Sequence, residues 1–210
     1  MDNSISHISR YFPDLATEMR ERLSALPALY QEWNSKINVI SRKDLENIEI
    51  NHILHPLAIA RFIPLKAESE VMDLGTGGGF PGIPLAIVFP EVKFHLIDRI
   101  GKKIQVASSV AEKIGLENVT FQHGDSGECR KKFDFVVSRA VMPQKDLIKA
   151  IRKNIAHNNS NPLPDGLISL KGGDLGDELS GLENVTQVVS ISDYFEEPFF
   201  ETKKIIYTKL

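Results

Sequence analysis

Four of the eight residues in the stretch DLGTGGGF, positions 73 to 80, are glycines: Gly75, Gly77, Gly78 and Gly79. They follow the apolar pair Val71-Met72. Glycines at such a turn permit positive backbone angles and leave no Cβ between chain and ligand, so the stretch reads as a cradle for a nucleotide or nucleoside. The dinucleotide fingerprint G-x-G-x-x-G, started from Gly75 and Gly77, demands glycine at position 80 and meets Phe80; shifted to Gly77 and Gly79, it is completed by Gly82. The second candidate is Asp98, which closes the apolar stretch VKFHLID. An acidic residue about 20 positions beyond the glycines can accept hydrogen bonds from ribose hydroxyls, and its ordinary alternative is to cap the helix that follows.

Asp73 separates the cofactor classes. It stands two residues before Gly75 and gives D-x-G-x-G-x-G, the arrangement recognised in S-adenosylmethionine-dependent methyltransferases, where a carboxylate could hold the cationic methionine end directly or through water. Downstream, HGDSG offers Asp125, Ser126 and Gly127 to an adenine edge. The next strand ends in SRAVMP, without the N/D-P-P-Y/F of amino-group methylation and without the Pro-Cys of pyrimidine C5 attack; Arg139 stands there instead. Its alternative is a salt bridge to Asp73 or Asp98 that closes the pocket. A dehydrogenase reading fails because no acid or base suited to hydride transfer is placed near the strand ends.

These residues need a scaffold that brings strand ends together. EVMDLG, VKFHLID, NVTFQHGD, FDFVVSRA and GLISLKGG read as strands, and GIPLAIVF, KKIQVASSVAEKIG and PQKDLIKAIRKNI as helices. Alternation of this kind implies right-handed crossovers and a mostly parallel sheet. VTQVVSIS and KKIIYTKL have no helix between them and read as an antiparallel pair at the sheet edge. Upstream, Leu15, Met19, Leu23, Leu26, Tyr30 and Trp33 form a helical stripe that Pro27 interrupts, predicting a kink or two shorter helices. A second helical pattern, with Pro56 inside it, runs from about Ile48 to Ile63, and LKAESE reads as a solvated linker. The expected organisation is an α/β, Rossmann-like domain over 65–210 behind a helical segment over 1–64.

Composition agrees: 210 residues with 42% hydrophobic and 25% charged content fit a soluble globular chain. No apolar run approaches the roughly 18 residues of a membrane span, and MDNSISHISRYF lacks the features of a signal peptide. The single cysteine, Cys129, fits a reducing compartment, and the expected location is cytoplasmic, with no membrane partner. A formal charge of -3 requires any nucleic-acid partner to meet clustered cations, such as Lys102-Lys103, Arg130-Lys131-Lys132 or the series Lys145, Lys149, Arg152 and Lys153. That series has the spacing of an ordinary solvated helix face.

DLGTGGGFPGIPLAIVFP, LIDRIGKK, FDFVVSRA and SLKG, preceded by WNSKINVISRKD and NHILH, resemble the ribosomal RNA small subunit methyltransferase G family, also called glucose-inhibited division protein B. The resemblance runs from about Trp33 to Lys171. It implies a class I methyltransferase fold with a seven-stranded sheet, mostly parallel with an antiparallel C-terminal strand. It also implies methyl transfer from S-adenosyl-L-methionine to N7 of a guanine in 16S ribosomal RNA or the small ribosomal subunit, with no DNA and no metal. Gly75, Gly77, Gly79 and Phe80 then form the cofactor turn with Asp73, Asp98 takes the ribose, and Ser126, Gly127 and Arg139 complete the cofactor site. Arg139 and Lys171 are the candidates to position substrate, and Asn38, Ser41 and His52 fall on substrate-binding positions. The residue-level alternatives are helix caps for Asn38 and Ser41, a satisfied buried histidine for His52 and a core position for Trp33. Asn51 and His55-Pro56 depart from the family's arginine and Asp-Ser, and GDSGE replaces its basic and acidic residues after the third strand. Rival readings are a methyltransferase acting on a small molecule or protein, and a non-catalytic nucleotide-binding module.

Overall fold

The computed structural model describes residues 5–139 and 141–210. Its centre is a seven-stranded sheet in the order β3-β2-β1-β4-β5-β7-β6. The strands are β1 (Glu70–Leu74), β2 (Lys93–Asp98), β3 (Val119–His123), β4 (Phe135–Arg139), β5 (Gly166–Gly172), β6 (Thr186–Ser190) and β7 (Lys203–Lys209). β1 to β5 pair in parallel, while β7 lies antiparallel between β5 and β6. From β1 the chain moves to β2 and β3 on one side, then returns to β4 on the other, so the sheet has its switch point between β1 and β4, where ligands of open α/β sheets bind.

The central strands are buried on both faces, which is why they read as continuous apolar runs rather than alternating ones. Side-chain alternation still assigns each residue to a face. Val71, Phe94, Phe135 and Ile168 join one core with α5 (Gly82–Val88), α6 (Gly101–Lys113) and the N-terminal helices. Met72, Ile97, Val136 and Leu167 join the other with α7 (Gln144–Ile151). Cys129 is buried in this second core as a small apolar side chain.

N-terminal to the sheet lie α1 (Ser6–Tyr11), α2 (Thr17–Asn34), α3 (Arg42–Glu46), a π-helical turn (Glu49–Leu54) and α4 (His55–Phe62). Here the structure departs from the sequence expectations. α2 is one helix of 18 residues with Pro27 inside it. Leu23 and Leu26 before the proline and Tyr30 after it are fully buried on one face, and this packing outweighs one lost backbone hydrogen bond. The second helical pattern is not uniform either: five-residue hydrogen-bond spacing holds up to Leu54, and Pro56 sits in the first turn of α4, where its missing amide is tolerated. The stretch LKAESE is exposed at Lys66, Ala67, Glu68 and Glu70, yet it is fastened to the body of the protein. Leu65 and Ser69 are buried, and the Asn161 side chain accepts from the Lys66 amide (2.9 Å) and exchanges hydrogen bonds with Ser69. Trp33 packs against the core while staying half-buried, with Lys36 over its ring. Among the described residues no helix is long and apolar enough to cross a membrane.

Candidate functional site

A cavity of about 700 Å³ opens at the switch point, within the range of roughly 300–1,000 Å³ typical of small-molecule sites. Its walls come from the turn after β1 (Gly75, Gly77, Phe80), the end of β2 (Asp98), the loop after β3 (Ser126, Gly127) and Arg139 at the end of β4. Thus seven of the residues assigned to the cofactor site, with Asp125 of HGDSG beside them, meet at one place.

Gly77 is the open part of the cradle. It has φ +58°, and a Cβ built on it would meet no protein atom within 4 Å. Its amide donates to Asp98 Oδ2 (2.8 Å), while Asp98 Oδ1 accepts from the Ile100 amide at the start of α6 (2.8 Å). Asp98 therefore serves as a main-chain tether of the kind a helix start uses and also stands at the cavity wall. Gly79 has a different purpose: a Cβ there would collide with Ile83 and approach the Tyr30 hydroxyl, so its backbone packs inward and does not line the cavity.

Asp73 also differs from expectation. It is fully buried, absent from the cavity wall, and its Oδ2 accepts from Thr76 Oγ1 (2.6 Å) and the Gly82 amide (2.7 Å). Through Oδ2 the carboxylate ties the glycine turn to α5. Burial pushes its pKa up to about 7, opposed by the Thr76 and Gly82 hydrogen bonds and by Arg139. Because the folded state holds this proton more tightly than the unfolded one, stability contributed through Asp73 falls as pH rises from about 4 to 7. Asp73→Asn keeps an acceptor oxygen without the charge. Urea denaturation is expected to show the variant gaining on the wild type across this window, at roughly 1.4 kcal/mol per unit of pKa shift as a ceiling; parallel pH profiles would show that the carboxylate is not held neutral.

Arg139 lies against the N-terminal segment. Its guanidinium donates to the Asn51 carbonyl (3.0 Å) and His52 Nδ1 (2.8 Å) and sits 5.3 Å from the Phe80 ring centre. Its ion-pairing alternative is not adopted: the contacts nearest the guanidinium are these two acceptors, and Asp73 acts on it only through its charge. Burial lowers the Arg139 pKa to about 10. Burial, followed by the Arg139 charge, lowers that of His52 to about 3, so His52 is neutral near pH 7. Since Arg139 can only donate, the Nδ1 lone pair faces it. The Phe80 ring in turn packs between Tyr30 (4.6 Å) and His52 (5.0 Å), and the Tyr30 hydroxyl donates to the Gly78 carbonyl (2.7 Å).

Besides Asp73, Gly79 and His52, three further candidate residues do not line the cavity. Lys171, at the end of β5, gives its ammonium to Glu178 (2.6 Å) and the Met142 carbonyl (2.8 Å), and its side chain is only 9% exposed. It fastens the loop after β4 to α8 (Gly176–Leu179). Ser41 caps α3, accepting from the Asp44 amide (3.1 Å), and Asn38 is exposed. Their neighbour Val39 does line the cavity, as do Val141, Met142 and Lys103. Lys103 was visible as part of a basic pair; Val39, Val141 and Met142 had no signal beyond adjacency to Asn38 and Arg139, because an apolar side chain on a cavity wall looks like any core residue.

The residues fit a nucleoside-bearing ligand: Gly77, the one glycine of the turn after β1 whose Cβ would meet no protein atom, stands beside an acidic strand end in a cavity that Ser126 and Gly127 also line. Comparison with known proteins gives the same direction. The family model described as GidB, rRNA small subunit methyltransferase G, matches residues 19–206. A ribosomal RNA small subunit methyltransferase G of Bacteroides fragilis (strain YCH46) is 56% identical over 209 residues, covering 100% of this chain and 93% of the relative. Its counterpart in Flavobacterium psychrophilum is 46% identical over 206 residues, covering 98% of each. Among solved structures, an S-adenosylmethionine-dependent methyltransferase from Aquifex aeolicus aligns with TM-score 0.54 at 18% identity over 88% of this chain and 98% of that one. The precorrin-6y C5,15-methyltransferase of Geobacter metallireducens aligns with TM-score 0.56 at 12% identity, over 83% and 92%. At such identities the solved structures speak for the fold, a Rossmann-like methyltransferase architecture. The match along nearly the whole sequence decides the rest: this chain belongs to the rRNA small subunit methyltransferase G family.

Proposed function

We propose that this chain transfers a methyl group from S-adenosyl-L-methionine to N7 of a guanine in 16S ribosomal RNA, in the 530 loop. The observation that carries the reading is family membership over residues 19–206, joined to a cavity whose open wall is Gly77 backbone beside Asp98. Bound there, S-adenosylmethionine would supply an electrophilic methyl on a sulfonium. Gly77 leaves it room, Asp98 receives its ribose, Phe80 gives an apolar wall, and Ser126 and Gly127 face its base. Asp73 acts behind them, holding the turn.

Guanine N7 has an in-plane lone pair and no proton to lose, so the reaction needs no general base and no covalent enzyme intermediate. What the protein must supply is alignment, through proximity and orientation. The base must also be splayed out or otherwise accessible. Arg139 is the cation placed to hold a guanine oxygen or a phosphate: two of its N–H groups are taken by Asn51 and His52, and the residue lines the cavity. Asn38, Ser41 and Lys171 are outside this arrangement, and a role for them in RNA contact rests on the resemblance alone.

Small ribosomal subunits and naked 16S RNA from cells lacking the gene, incubated with the protein and a tritiated methyl donor, test the reading. Label is expected on a guanine of 16S RNA, in the alkali-labile form typical of N7 methylation. Label on protein or free nucleotides, or none on RNA, would overturn it.

A further inference from the structure

Asn51 and His52 stand 87 or more positions from Arg139 in the chain, yet supply both acceptors of its guanidinium. The local reason is the π-helical turn. Within it the His55 amide donates to the Ile50 carbonyl, five residues back. The next amide in that register would belong to residue 56, which is proline and has none. The Asn51 carbonyl is therefore left without its main-chain donor, and Arg139 Nη1 takes the place at 3.0 Å. One residue on, the His52 ring lies with Nδ1 2.8 Å from Nη2 and its centre 5.0 Å from that of Phe80, the ring over which the guanidinium also sits. Two acceptors and one aromatic face thus hold the same planar group from different directions.

We propose that the His52 imidazole and the Asn51 carbonyl form a clamp that fixes the direction of the Arg139 guanidinium at the cavity, so that the π-helical turn of the N-terminal segment positions a residue of the methyl-transfer site. His52 is a positioning residue acting through Arg139, not an RNA contact, and Pro56 belongs to the device because it vacates the Asn51 carbonyl. This inference rests on the methyltransferase reading for the consequence of the clamp, though not for the clamp itself.

Two readouts on the full-length protein test it. In the first, side-chain NMR with isotope-labelled arginine follows the Arg139 Nη–H signals, assigned by their loss in Arg139→Lys. The wild type is expected to show restricted rotation about Cζ–Nη, His52→Ala to release it, and His52→Asn, whose Oδ1 falls near the place of Nδ1, to restore it. The second is methyl transfer to small subunits: His52→Ala is expected to lower kcat by roughly 10- to 100-fold with the S-adenosylmethionine KM changed far less. His52→Asn should recover most of the rate, and His52→Ala should add little to the loss already present in Arg139→Ala. Unchanged Nη–H signals in His52→Ala, an unchanged kcat, or equal losses in both backgrounds would overturn the clamp. A wild type that binds cofactor but leaves RNA unlabelled would overturn the proposed substrate instead, and the NMR arm would still decide the clamp.

Discussion

Gly77→Val is expected to weaken S-adenosylmethionine or S-adenosylhomocysteine binding by more than about 100-fold, the equivalent of roughly 3 kcal/mol, while the protein stays folded. The argument rests on the space around position 77. A Cβ there meets no protein atom within 4 Å, so the first side-chain carbon of a valine clears the protein, and the branch beyond it extends into the volume the ligand requires. The remaining penalty is conformational, since φ +58° is a left-handed angle that a β-branched residue adopts poorly, at about 1–2 kcal/mol. Gly77→Ala separates the two effects: it carries much of the backbone strain with a smaller side chain, and should bind cofactor better than the valine variant. Calorimetric titration gives the affinities and thermal melting verifies the fold. Normal affinity in a folded Gly77→Val protein would show that the ligand lies elsewhere.

Arg139→Ala is expected to lower methyl transfer to small subunits by roughly 10²- to 10³-fold, the loss typical of removing one preorganised donor from a site, with cofactor affinity changed by less than tenfold. The asymmetry follows from placement: the proposed cofactor contacts belong to the turn after β1, the end of β2 and the loop after β3, while Arg139 enters from the end of β4 and is anchored to the N-terminal segment. Arg139→Lys should rescue little, because an ammonium cannot hold the Asn51 and His52 acceptors as a planar fork does. Arg139→Ala also strands those two half-buried acceptors, at about 1–3 kcal/mol for each one left without water, so the rate is best read well below the melting temperature. Equal loss of cofactor affinity and rate would place Arg139 in the cofactor site instead, and an unaltered rate would remove it from both.

Much of this site is legible along the chain. Gly77, Asp98, Phe80, Ser126 and Gly127 lie at strand ends, and a strand end is marked locally, by an apolar run that stops at glycine or a carboxylate. In a parallel sheet all such ends fall on one side, so reading the strands already groups these residues. Pro27 and Pro56 show the limit of local rules. Each signals a missing amide, but the outcome differs: α2 continues because Leu23, Leu26 and Tyr30 pack it on both sides, whereas Pro56 begins a new helix and frees the carbonyl of Asn51.

What required the folded chain was the partner of each charge. Asp73 and Asp98 are both strand-end carboxylates, yet one is sealed beneath the turn with Thr76 and Gly82 and the other stands at the cavity. Lys171 looked as free as Arg139 until Glu178 and the Met142 carbonyl met it. Glycine spacing and strand periodicity are short-range properties, written in neighbouring residues. Whether a charged group faces a ligand or a neighbour depends on elements tens of residues away and on how much water each contact excludes, and these are set when α4, β4 and β5 come together.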